Sequence, residues 1–197
     1  EFTINYFKNL KKKYGKDYPR LTELTGFESI AVTKVVSNNA KLYANKEEGF
    51  VGIALKKEDN AEFICDCSDL SEIIVIHKDG KYKVTKVSEK AFFGKDIMYV
   101  GLFDRNDQRT IYNVIYRDGK SSVSYAKRFA ITSVTRDKEY DITTGAPGSQ
   151  ILWFTVNHNG EAETVKIYYR QRAKLKKLID EDDFSQLLIK GRASRGN

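Results

Sequence analysis

Ile4, Phe7, Leu10 and Tyr14 recur at spacings of three and four, with Lys8, Lys11, Lys12 and Lys13 filling the remaining positions. That pattern predicts a short amphipathic helix over 4–14, ended by Gly15 and kept from restarting by Pro19. Past Lys41 the period changes from helical to strand-like. Four runs repeat one device, an apolar strand, a polar turn ending in Gly and a second strand carrying basic residues: "LYANKEEGFVGIALKK", "IIVIHKDGKYKVTKV", "TIYNVIYRDGKSSVSYAKRFAI" and "ILWFTVNHNGEAETVKIYYRQRAK". Their turn glycines, Gly49, Gly80, Gly119 and Gly160, lie 31, 39 and 41 residues apart. A polar turn ending in Gly between strand-like runs predicts a hairpin, because Gly accepts the positive φ such turns demand. A unit of this size buries its apolar face only against neighbours, so the repeat predicts an all-β, bladed array of about four hairpin units behind one short helix. The Trp-Asp and Gly-His marks of the commonest propeller repeat are missing, and Trp153, inside "ILWFTV", reads as core.

Composition adds a bias toward polyanions. The 197 residues carry a formal charge of +7, and 41% hydrophobic with 12% aromatic residues suffices for a core. No stretch approaches the ~18 apolar residues of a membrane span, and Glu1-Phe2-Thr3-Ile4 lacks the features of a signal peptide. The missing initiator Met reads as an excised piece. Cys65 and Cys67 flank Asp66; a Cys-x-Cys bridge would be strained, and a metal site would need His77 or His158 to converge on them, so two reduced thiols are expected.

The charge concentrates in "VKIYYRQRAKLKK", 165–177. Lys166, Arg170, Arg172, Lys174, Lys176 and Lys177 have no acid among them in that segment. With period two, Lys166, Tyr168, Arg170, Arg172, Lys174 and Lys176 share one face, while Val165, Ile167, Tyr169, Ala173 and Leu175 share the other. A thirteen-residue strand would extend about 40 Å, so the segment is expected to bend or pass between blades. Such a basic ribbon suits the phosphates of a duplex better than the simple guarding of a sheet edge. Lys120, Lys127 and Arg128 in the third unit, and Lys81 and Lys83 in the second, suggest a positive rim, with Tyr82 and Val84 facing inward.

Enzyme readings find little support. His77 and His158 lack any surrounding nucleophile motif, and "DEDD", 180–183, reads as an acidic turn rather than a magnesium site. The closing "GRASRGN", 191–197, lacks the Gly-Lys-Ser/Thr of a Walker loop; its glycines would let the backbone approach a phosphate that Arg192 and Arg195 neutralise.

"LKKKYGKDYPRLTEL", 10–24, resembles the segment by which the A subunit of bacterial type IIA topoisomerases leaves its breakage-reunion core. Lys13, Tyr14, Gly15, Asp17, Arg20, Thr22 and Glu23 match that pattern and Pro19 departs from it. "IIVIHKDGKYKVTKVSEKAFFGKDIMYVGLF", 73–103, is similar to a repeat of that protein's C-terminal β-pinwheel. "DFSQLLIKGRASRGN", 183–197, resembles a blade-closing segment and lacks the Gly-Gly pair and leading Gln-Arg-Arg run of the gyrase box, which places it nearer the topoisomerase IV type than gyrase. The resemblance implies a helical linker over 1–24 and a pinwheel over 25–197 with further blades beyond Asn197. It implies a non-catalytic domain that binds and bends duplex DNA on its outer rim. The family's nucleophilic tyrosine follows an arginine, and the sequence contains no Arg-Tyr dipeptide. No cofactor is expected in this piece. Magnesium and ATP are used through the topoisomerase B subunit. Pairing with another A-type chain runs through the core, and the setting is the bacterial cytoplasm and nucleoid, without membrane. The residues expected to meet DNA are Lys127, Arg128, Lys166, Arg170, Arg172, Lys174, Lys176, Lys177, Arg192 and Arg195. The competing reading is a basic-rimmed propeller that docks an acidic protein.

Overall fold

The computed structural model describes residues 2–18, 39–56, 60–171 and 175–197. Contacts divide the chain into two units, 1–35 and 36–197. In the first, helix α1 runs Phe2–Tyr14, two residues earlier than its periodicity suggested, and buries none of its side chains. The 19–24 part of the expected linker, and the start of the domain expected from 25, lie outside the described residues.

The second unit is all β, and its strands follow one rule. β1 (Ala40–Asn45) and β2 (Phe50–Gly52) form a hairpin, and β3 (Glu62–Cys67) pairs with β1. β4 (Glu72–His77) and β5 (Lys81–Lys86) form the next hairpin; β6 (Ala91–Phe92) then returns to the preceding sheet beside β2, and β7 (Ile97–Phe103) pairs with β4. β8 (Ile111–Arg117) and β9 (Ser124–Ala130) repeat the step, with β10 (Glu139–Asp141) returning to β5 and β11 (Gln150–Asn157) pairing with β8. β12 (Thr164–Tyr168) pairs with β13 (Ile179–Asp183), and β14 (Ile189–Gly191) returns to β9, this time in parallel. Each of the three four-stranded sheets is thus completed by a strand from the following unit. This is the interlocked, bladed architecture of a pinwheel, and among the described residues no sheet closes into a barrel.

The pairing of β11 with β8 corrects the expected fourth hairpin. Gly160 does not join paired strands: β11 belongs to the third sheet, and the fourth hairpin is β12–β13. Two strands of the expected device have the right sequence but different owners, because a turn signal is local and cannot say which edge the following strand will find.

The cores lie between sheets. In β4 the alternating residues face opposite ways: Ile73 and Val75 join Leu42, Ala44 and Val51 of the first sheet, while Ile74 and Ile76 join Tyr112, Val114, Tyr116 and Phe129 of the third. A strand buried on both faces reads as a continuous apolar run, as "IIVI" does. Tyr82 and Val84 face inward as expected. At the first hairpin tip Gly49 takes φ +84°, and a Cβ there would overlap the carbonyl oxygen of Gly94 from the next unit, so this position requires glycine. The outer face of the third sheet is more polar. Asn113 is fully buried there with neither amide atom paired, and Trp153 is half-buried against Phe184 at 5.1 Å between ring centroids.

Candidate nucleic-acid interface

The first two of the four hairpin tips balance their own charge. Lys46 pairs with Glu62, Lys78 lies 3.6 Å from Asp96, and Lys81, just past the second tip, lies 2.9 Å from Glu139. At the third tip Asp118 accepts from Thr144 and Ser121, contacts that hold its carboxyl down at about 2, and Lys120 makes no ion pair among the described residues. The fourth tip differs. Strand β12 keeps Lys166 and Tyr168 exposed, with Val165 and Ile167 turned partly inward, which is the alternation expected of the ribbon. The strand ends at Tyr168. Tyr169 donates its backbone N–H to the Leu178 carbonyl at 2.8 Å and closes a loop, 169–178. Arg170, Lys176 and Lys177 stand exposed on that loop. Arg172 and Lys174, with Ala173, lie outside the described residues.

The basic ribbon is therefore a short strand and a cationic hairpin tip rather than one long strand. Tyr169 and Leu175, expected to face the core, are exposed because the chain leaves the sheet before reaching them. "DEDD" is likewise not a turn. It forms β13, which runs antiparallel to β12 with Lys166 opposite Glu181 and Ile167 opposite Asp180. Lys177 donates to Asp180 at 2.6 Å, a contact that raises the ammonium and holds the carboxyl below its ordinary range. Asp183 caps the 3-10 turn Phe184–Gln186 by accepting from the Ser185 backbone N–H at 2.8 Å, a contact that with the Ser185 hydroxyl lowers its carboxyl too.

Of the other expected contacts, Lys127 and Arg128 are drawn into the fold, while Arg192 is half-buried and Arg195 exposed. Lys127 is 2% exposed, so its ammonium cannot face a phosphate. It donates to the carbonyls of Ile142, Arg192 at 2.7 Å and Ser194 at 2.9 Å, and lies 4.8 Å from the Phe129 ring centroid. Burial pushes this group down to about 8, while the three carbonyls favour its charged form. Arg128 is half-buried and donates to the carbonyls of Gly160 and Glu161, tying the third sheet to the approach to β12.

"GRASRGN" acts as a strap. After β14 it runs beside β9, and Asn197 and Ala126 exchange two backbone hydrogen bonds of 2.9 Å. Arg192 stacks 4.0 Å from the Tyr140 ring centroid and donates to the Tyr82 hydroxyl at 3.1 Å, which joins the strap to the second sheet. Arg195 lies 4.7 Å from the Tyr125 ring centroid and donates to its hydroxyl, while its carbonyl accepts from Tyr116. Gly196 has φ +98°, and a Cβ there would fall 2.8 Å from the Ala126 carbonyl oxygen. The glycine allows a close backbone approach, but the group approached is the third sheet. The tyrosine sockets were not evident from sequence, since Tyr82, Tyr116, Tyr125 and Tyr140 sit in strands whose aromatics read simply as core.

Among the described residues no three His, Cys, Asp or Glu side chains are grouped to hold a metal ion, and no helix is long and apolar enough to cross a membrane. His77 Nδ1 lies 3.3 Å from the Lys95 carbonyl and His158 Nδ1 lies 3.2 Å from Thr110 Oγ1, neither beside a thiol. Burial above all pushes both Cys65 and Cys67 up, away from thiolate character, helped at Cys65 by Cys67 and Asp66 and at Cys67 by Asp66.

These features define an interlocked β-pinwheel that carries an uneven positive charge on its last hairpin. The chain belongs to the topoisomerase C-terminal domain family of Bacteroidota, which it matches over residues 41–197. It is 30% identical over 141 residues to the A subunit of DNA topoisomerase 4 from Borreliella burgdorferi, an overlap of 71% of this chain and 22% of that protein. The chain thus spans about a fifth of the length of that curated relative. No solved structure matches it.

Proposed function

We propose that this chain is a non-catalytic DNA-binding and DNA-bending domain from the A subunit of a type II topoisomerase, and that the fourth hairpin makes its principal phosphate contacts. The observation that carries this reading is the charge imbalance of that hairpin tip. Arg170 and Lys176 are exposed on the segment that follows β12, Lys177 is exposed there beside Asp180, and Lys166 is exposed on the strand leading into it; Arg172 and Lys174 fall between them in the sequence. Cations gathered on a projecting tip can follow a phosphate backbone without reading bases, so binding is nearly independent of sequence and steeply dependent on salt. Lys127 and Arg128 take no part in phosphate contact, because their charged groups are held by carbonyls. Arg192 and Arg195 contribute mainly by fixing the strap. The domain holds no cofactor of its own. In the whole enzyme magnesium and ATP act through the B subunit. Another A-type chain completes the core, and the complex works on the bacterial nucleoid.

The test is a fluorescence-anisotropy titration of a duplex of about 40 base pairs at two salt concentrations, with the triple variant Arg170→Glu, Lys176→Glu, Lys166→Glu. The expected result is a loss of at least about a hundredfold at low salt, with the slope of log affinity against log salt shallower by about 0.9 for each lost phosphate contact. Unchanged duplex affinity with an intact fold would refute this surface. The absence of saturable duplex binding by the unaltered chain would instead favour an acidic protein partner.

A further inference from the structure

The cationic hairpin carries its own counter-charge. β13 places Asp180, Glu181, Asp182 and Asp183 in succession along the partner of β12, directly opposite the residues from Ile167 back to Thr164. Cross-strand neighbours share a face of the ribbon, so Glu181 lies on the same side as Lys166. Adjacent strands are about 4.8 Å apart, well inside the Debye length of about 8 Å at physiological salt. Asp180 is the first of these acids after the loop and engages Lys177 at 2.6 Å. Asp183 is committed to capping the turn at Phe184, but Glu181 and Asp182 are exposed and make no ion pair among the described residues. The packing does not require the acidity of Glu181 and Asp182, which are exposed, so uncharged polar residues there would serve the pairing equally well.

We propose that β13 is an internal competitor for DNA, whose carboxylates partly neutralise Lys177 and Lys166 until a phosphate backbone displaces them. The inference rests on the proposed DNA-binding reading and adds a control to it. Phosphate and carboxylate are rivals for the same ammonium and guanidinium donors, and binding exchanges an intramolecular contact such as Lys177 to Asp180 for an intermolecular one. The acidic strand therefore sets the salt concentration above which the duplex is released, and favours turnover over permanent retention of a bound segment.

The experiment compares the full chain with the variant Asp180→Asn, Glu181→Gln, Asp182→Asn. A control variant, Glu47→Gln, Glu48→Gln, Glu89→Gln, removes three exposed acids from the first two units and changes the net charge equally. The β13 variant is expected to bind duplex about tenfold more tightly at low salt, since each exposed charge contact is worth up to a few-fold in affinity. Its log affinity against log salt should steepen by about 0.9, the equivalent of freeing Lys177 for one more phosphate. The control should stay within about twofold of the unaltered chain. Equal tightening in both variants would reduce the effect to net charge and overturn the proposal, as would no change in the β13 variant. The single Asp180→Asn change leaves the strand and its cap otherwise intact, and should show part of the same gain; its failure to do so would exclude the Lys177 contact as the point of competition. If the unaltered chain binds no duplex at all, the DNA-binding reading itself fails, a result distinct from duplex binding that ignores β13.

Discussion

Replacing Lys127 by methionine separates two opposing terms at the centre of the strap. The methionine stem fills nearly the same space, so no large cavity opens. What is lost is the donor to three carbonyls, those of Ile142, Arg192 and Ser194. A buried acceptor left without a partner costs about 1–3 kcal/mol. Ile142 is fully buried and Arg192 and Ser194 are half-buried, so the summed loss is roughly 5 kcal/mol. What is regained is the penalty of burying the charge. Burial lowers the ammonium from 10.5 to about 8, equivalent to roughly 3 kcal/mol against the charged form at neutral pH. The difference predicts a variant less stable by roughly 2 kcal/mol, or a urea midpoint lower by about 1 M. Trp153, the single tryptophan, reports unfolding from its place beside Phe184. The pH dependence gives an independent check. A lysine whose folded pKa is depressed leaves the unfolded chain holding more protons between 8 and 10.5, so stability rises with pH in that window. Tyr82 and Tyr116, pushed up to about 12 chiefly by burial, act in the opposite sense above about pH 10, and Cys65 and Cys67, also pushed up by burial, do so from about pH 9. The contribution of Lys127 is therefore read as the difference between the unaltered chain and the methionine variant between about pH 8 and 10. The methionine variant should lack that rise. A variant as stable as the unaltered chain, or more so, at pH 7 would show that the carbonyl contacts do not outweigh the cost of burying the charge.

Two further outcomes test the joints between units. Gly49→Ala combines a left-handed φ of +84° with overlap on the Gly94 carbonyl, and should lower stability by about 2–3 kcal/mol in thermal or urea unfolding, whereas a neutral result would mean that the first hairpin is not locked to the second. Glu72 accepts from Arg105 at 2.6 Å and Arg136 at 2.8 Å; burial pushes its carboxyl up, but the two guanidiniums outweigh that and hold it below its ordinary range. That contribution is present above the unfolded carboxylate pKa and is lost as pH falls through the depressed folded value, so Glu72→Gln should be less stable at neutral pH and lose less stability on acidification.

Much of the fold was legible because repeating local signals encode it. The period-two runs, the Gly-ended turns and the doubly apolar "IIVI" each depend on neighbours within a few residues, and each appears in the structure as a strand, a turn or a strand buried on both faces. The helix over 4–14 was legible for the same reason, and its extension to Phe2 adds only residues that bury nothing. The site was only partly legible. Lys166 is exposed as the alternation suggested, whereas Arg170, Lys176 and Lys177 are exposed because the chain has left the sheet, with Tyr169 and Leu175 exposed beside them. Lys127 follows the same local rule yet points inward, since its neighbourhood is made by residues 142, 192 and 194 arriving from elsewhere in the chain.

The sequence by itself determined the class: hairpin units at a period near forty residues, none able to cover its own apolar face, with surplus positive charge in the fourth. Tertiary structure alone decided who pairs with whom. It returned β6, β10 and β14 to the preceding sheets, paired β11 with β8 rather than β12, set the acids of β13 against the basic β12, and laid the closing arginines on tyrosines of the second and third sheets. The physical reason is that a turn constrains only the few residues within it, whereas the partner of a strand edge or a buried charge is chosen by packing across the whole fold.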